Sequence, residues 1–162
     1  MSDQFFFINI FGERFNYDDR PLFTDFTFDN LGLPRNVNIP GNPEPDPGLG
    51  GRMDIAERDP QGSQLGKHKV VGLRNIAITP PYMHNGVLAS LAQVVHFYNT
   101  RDVKPECPNP LTTMEDAIAL DCWPAPEIAD NVNRDELGDL GLTDEEEDAI
   151  VAFLETLTDD FF

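Results

Sequence analysis

The stretch Gly66 to Thr100, GKHKVVGLRNIAITPPYMHNGVLASLAQVVHFYNT, decides how the rest of the chain is read. Its second half predicts a helix over about 91–99. Ser90 followed by Gln93 makes an S-x-x-Q capping pattern, and Leu91, Val94, Val95 and Tyr98 recur at helical spacing. Thr79, Pro80 and Pro81 form a rigid extended turn ahead of it. Downstream, Thr143 and Glu146 make a T-x-x-E capping box and Asp144 to Asp148 suit the positive end of a helix dipole. Ala149, Ile150, Phe153, Leu154 and Leu157 then give that helix one apolar stripe. Upstream, Pro21 to Asn36, PLFTDFTFDNLGLPRN, reads as an ordered loop packed by its Phe side chains, Pro40 to Gly51 as a loop or linker, and Met53 to Arg58 as one helical turn. Arg101 to Asn133 is loop-rich. Residues 1–20 are rich in aromatics without a period and stay unassigned.

The 162 residues suit one domain, and Lys plus Arg at 11 against Asp plus Glu at 29 leave a net charge of −18. Such a surface repels phosphate backbones and anionic headgroups, which argues against nucleic acid as a partner. No apolar run approaches the roughly 18 residues of a membrane span, so no membrane insertion is expected. Twelve Phe and 40% hydrophobic residues are too apolar for a disordered acidic chain. Residues 135–160 hold eleven acidic and no basic side chains, which read as a solvated face or as a docking face for a basic partner. Asp3 stands where a secretory signal carries positive charge, so no signal peptide is expected in this chain.

Local signatures of chemistry are few. His68, His84 and His96 fall close together but match no standard metal spacing, so they read first as ordinary polar histidines. Cys107 and Cys122 make no CxxC pair; they are either a loop-closing disulfide or two free thiols. The carboxylate runs offer no opposed pair in differently solvated surroundings, as a glycosidase needs. GxSxG, HExxH and GxxxxGKT are absent.

Five blocks in order, PLFTDFTFDNLGLPRN, GKHKVVGLRN, ITPPYMHNGVLASLAQVVHFYNTRD, DCWPAPE and GLTDEEEDAIVAFLETLT, span roughly residues 21–158. Together they resemble the C-terminal part of the bacterial dihaem cytochrome c peroxidases, especially the MauG-like branch. The resemblance implies a mainly α, cytochrome c-like domain over 21–162 with long irregular Pro-rich and Gly-rich loops. It also implies haem c as cofactor, electron transfer as role and the periplasm as location. It places the distal iron ligand at Tyr98, whose phenolate would stabilise ferric iron, with Met83 as an alternative thioether ligand and His84 beside the haem. Arg74 becomes a partner for a haem propionate. A calcium ion would take backbone carbonyls at Thr79 and Pro81. Read from the residues alone, Tyr98 and Met83 are equally core side chains and Arg74 a structural ion pair.

The chain departs from the family where CxxCH should stand: FINIFGERFNYDDR, ahead of FTDFTFDN, holds neither Cys nor His. Thioether attachment needs two Cys three positions apart followed by His, so Cys107 and Cys122 cannot substitute. Val71 and Gly72 also replace the family's usual Pro and Thr. Two readings follow. In one, the chain is a truncated haem-binding electron-transfer domain without peroxidase turnover of its own, serving a redox partner protein or a missing N-terminal haem domain. In the other, it is a haem-free acidic protein-binding module that kept the scaffold.

Overall fold

A computed structural model describes residues 23–40 and 45–159. The unassigned 1–20 segment and the middle of the Pro40 to Gly51 loop lie outside them. Among the described residues the regular structure is mainly helical: α1 (Met53–Ala56), α2 (Leu91–Thr100), α3 (Met114–Ala119) and α4 (Asp144–Glu155). Two short 3-10 turns, Leu49–Gly51 and Ile76–Ile78, accompany them. A two-residue antiparallel ladder joins β1 (Phe28–Asp29) to β2 (His68–Lys69), with Asp29 opposite His68.

Both long helices start where their caps predict. Thr143 and Glu146 complete a reciprocal box, the Thr143 N–H donating to Glu146 Oε2 at 2.8 Å. At α2 the Ser90 hydroxyl accepts from the Gln93 N–H, but the Gln93 side chain reaches back one residue further, to the Ala89 N–H at 2.7 Å. The two helices pack against each other, and Leu91 and Val95 of α2 share the core with Ile150 and Leu154 of α4. Ala149 is exposed, because α4 presents Val151 rather than Ala149 to that core. The opposite side of α2 is covered as well: Phe97, 1% exposed, sits edge-on to Trp123 with ring centroids 5.1 Å apart.

The Phe-rich loop is only partly the packed element expected. Phe23 meets Phe153 edge-on at 6.2 Å. Phe26 and Phe28 are surface residues. The Thr24 hydroxyl accepts from the Phe26 N–H and the Asp25 carboxylate from the Thr27 N–H, building a turn with Phe26 at φ 64° that carries its ring outward.

Cys107 and Cys122 are disulfide-bonded, which resolves the two alternatives. With Ala117 and Met114 they form a small satellite cluster beside α3. Closing a loop of this length contributes about 3 kcal/mol.

At the end of α2, Arg101 is buried and every arm of its guanidinium is engaged. Nη1 donates to the Leu31 carbonyl at 2.8 Å, Nη2 to the Asn133 and Leu137 carbonyls at 2.7 and 3.1 Å, and Nε and Nη2 to the Asp102 carboxylate at 3.0 and 2.6 Å. Gly138, at φ 109°, passes so close that a Cβ there would meet the Asp102 carboxylate. Its N–H donates to the Tyr98 carbonyl at 2.6 Å. This clamp fixes the Tyr98 end of α2 against the loops at 31 and 133–138.

Candidate functional site

The β1–β2 ladder, the turn after Thr79 and the facing sides of α2 and α4 enclose a cavity of about 500 Å³, a volume typical of cofactor sites. Leu33, Leu73, Ile76, Leu91, Val94 and Leu154 make much of its wall apolar. Tyr98 lines it from α2 and Met83 from the turn, where Met83 holds a positive φ of 72°. The Tyr98 phenol is pushed up to about 12, chiefly by burial and further by the Asp29 charge, with Arg101 opposing. It is therefore neutral at ordinary pH, and no described residue hydrogen-bonds its hydroxyl.

The other sequence candidates divide. Thr79, Pro81 and His84 line the cavity. Arg74 does not; its guanidinium lies 5.7 Å from the Phe23 ring centroid. The Thr79 hydroxyl donates to the Ile76 carbonyl at 3.2 Å. Of the three histidines, two are brought together and one is not. His68 and His84 stack with ring centroids 3.6 Å apart and planes within 7°. His96 instead bridges α2 and α4, its Nδ1 3.0 Å from Glu147 Oε2 and its Nε2 2.6 Å from Lys104 Nζ.

Around the stacked pair stand two carboxylates that the sequence did not single out. Asp46, His68 and His84 each offer a ligand atom, all within 4.8 Å of one another. Glu127 Oε2 is 3.7 Å from His84 Nε2. Burial holds His84 below its usual pKa, and His68 pushes the same way, while Asp46 and Glu127 oppose. His68 Nε2 and Glu127 Oε1 are buried with no hydrogen-bond partner among the described residues. Asp46 lies in the Pro-rich loop and Glu127 in the DCWPAPE block, and neither stands beside a histidine in sequence. The ladder that seats His68 and the bridge pairing Pro34 with Pro126 create their proximity.

The cavity therefore offers an apolar enclosure, a phenol with no hydrogen-bond partner among the described residues and a thioether, donors that would suit a flat apolar ring system carrying a metal. Covalent attachment by this chain's cysteines does not fit: there are two, they are bonded to each other, and neither lines the cavity.

No family model matches the chain. It is 42% identical over 149 residues to the methylamine utilization protein MauG of Paracoccus denitrificans, covering 87% of this chain and 36% of that protein. It is 31% identical over 163 residues to a cytochrome-c peroxidase of Denitromonas iodatirespirans, covering 85% and 35%. Among solved structures, the dihaem peroxidase BthA of Burkholderia thailandensis superposes with a TM-score of 0.59 at 31% identity, over 87% of this chain and 35% of that one. The chain thus spans about a third of the length of the relatives it matches.

Proposed function

Because the chain belongs with the dihaem cytochrome c peroxidases and MauG-like proteins, we propose that residues 21–162 act as a haem-binding electron-transfer domain of cytochrome c type, in which Tyr98 supplies an iron ligand. The observation that carries this reading is the Tyr98 phenol, without a hydrogen-bond partner among the described residues, lining an apolar cavity of about 500 Å³. An iron porphyrin bound there would supply a one-electron ferric–ferrous couple. Tyr98 Oη would give up its proton on ligation, and phenolate, a hard anionic donor, would favour the ferric state. Met83 is the thioether on the same cavity, and Leu91, Val94 and Leu154 line it with apolar side chains that would keep water from the bound group. Arg74, if it serves a propionate, must leave the Phe23 ring. The carbonyls at Thr79 and Pro81 remain the proposed seat of a calcium ion.

Without a CxxCH motif, binding by this chain is non-covalent, and peroxide turnover is assigned to a partner haem domain or redox protein. The disulfide supports an oxidising compartment such as the periplasm. Among the described residues no helix is long and apolar enough to cross a membrane.

Titrating ferric haem into the full chain should give a saturable Soret change at one haem per chain, weakened at least about tenfold by Tyr98→Phe, a loss of the size metal-ligand changes bring. An unchanged spectrum and affinity in Tyr98→Phe would overturn the assignment. Peroxide-dependent oxidation of a reduced cytochrome by the chain alone would contradict the inactivity. One observation favours the second reading, a haem-free acidic binding module: Asp144, Glu145, Glu146 and Asp148 are all exposed on α4. Salt-sensitive capture of a basic protein, indifferent to Tyr98→Phe, would mark that reading.

A further inference from the structure

We propose that Asp46, His68 and His84, which line the same cavity, form a binding site for a divalent first-row transition ion that needs no porphyrin. Three donor side chains whose ligand atoms all lie within 4.8 Å of one another come from separate parts of the chain. Asp46 belongs to the Pro-rich loop, His68 to β2, and His84 to the turn preceding α2. The backbone is shaped around them. Gly48, at φ 54°, runs under His68, and a Cβ on it would meet the Lys67 carbonyl and come within 3.1 Å of His68 Nε2. The Asp46 carboxylate accepts from the Gly48 N–H at 2.9 Å, which fixes the loop that bears it.

Among the described residues, no Lys or Arg is ion-paired with the cluster. His68 Nε2 and Glu127 Oε1 are buried and unbonded, and an unsatisfied buried polar atom is costly. Two imidazoles and two carboxylates thus bring their lone pairs together, and a cation would meet them. Lys69, next to His68 in sequence, is turned toward the Phe26 ring, 5.9 Å from its centroid. Two nitrogens and one carboxylate oxygen select zinc, nickel, cobalt or copper over calcium and magnesium, which prefer oxygen throughout. At metal–ligand distances of about 2.1 Å in a tetrahedron the widest pair must draw in by up to about 1.4 Å, and the stacked rings must splay. All three donors sit on loops or at the end of a two-residue strand, where such a movement breaks no helix. Glu127, behind His84, adds the second negative charge.

The test is calorimetric titration of zinc into the full, chelator-treated chain without haem. One ion per chain is expected, with affinity reduced at least about tenfold by His68→Ala and by Asp46→Asn, and unchanged in His96→Ala. Asn at position 46 keeps an oxygen for the Gly48 N–H, so that variant probes the donor without removing the turn. Cobalt in place of zinc should give a visible ligand-field spectrum that His68→Ala alters. Absence of binding would overturn the proposal, as would zinc binding equally strong in the His68→Ala, His84→Ala double variant, which marks adventitious carboxylate binding only. Because no porphyrin is present, the outcome is separate from that of the haem titration.

Discussion

Two groups of buried polar atoms in this small domain are resolved in opposite ways. Around Arg101, the guanidinium meets three main-chain carbonyls and a carboxylate, so the cation taken out of water is fully compensated. Around His68, two rings and two carboxylates stand together with one ring nitrogen and one carboxylate oxygen unbonded. The first arrangement is complete within the chain and serves stability. The second leaves those two atoms unbonded among the described residues, which is the opening the proposed ion would fill. Both groups border the same ladder: Arg101 holds the carbonyl of Leu31, two residues after β1, and His68 is β1's partner across the ladder.

That contrast breaks first at Arg101. Arg101→Ala takes the donor from three carbonyls and leaves Asp102 with Arg134 alone, and should cost about 3–5 kcal/mol, as the loss of one partner of a buried pair does. Denaturant unfolding measures it, and a loss under about 1 kcal/mol would show that the clamp is not a stability element. A smaller effect is expected from acid. Burial alone would raise the Asp102 carboxyl, but hydrogen bonds and charge from Arg101, joined by Arg134, carry it below its usual 3.8. A carboxyl lowered on folding lends stability that is full above its unfolded value and fades as pH falls through its folded value. The unfolding midpoint should accordingly drop below about pH 4, and less steeply in Asp102→Asn. The smallest effect belongs to the rim. His68→Ala in the metal-free chain removes a buried nitrogen that has no partner, and stability should change by no more than about 1 kcal/mol. A loss as large as that of Arg101→Ala would erase the distinction between the two groups.

How legible these features were in sequence follows from the range of the interactions behind them. The starts of α2 and α4 depend on residues three apart, and the Ser90 and Thr143 caps stand where local chemistry puts them. The apolar stripes were read less well. A single-faced stripe leaves out Phe97, whereas α2 is covered on one side by α4 and on the other by Trp123. Period alone does not fix how far α4 is rotated, so its stripe takes in the exposed Ala149. Tyr98 stands out only through family resemblance, and it lines the cavity, where its role is the one proposed above. Asp46 and Glu127 left no local signal, since they meet His68 and His84 only after three loops have been folded together. The pairing of Cys107 with Cys122 was equally a matter of tertiary closure.

One feature of α2 reaches beyond these sites. The main-chain carbonyl of Tyr98 is held by the Gly138 N–H, and the next side chain, Asn99, exchanges two hydrogen bonds with the backbone of Leu142, at 3.0 Å each. None of these involves the aromatic ring. The heading of whatever occupies position 98 is thus set by its neighbours, so the position works as a socket: a thioether or imidazole installed there would inherit the phenol's direction, and donor character could be exchanged without rebuilding the frame.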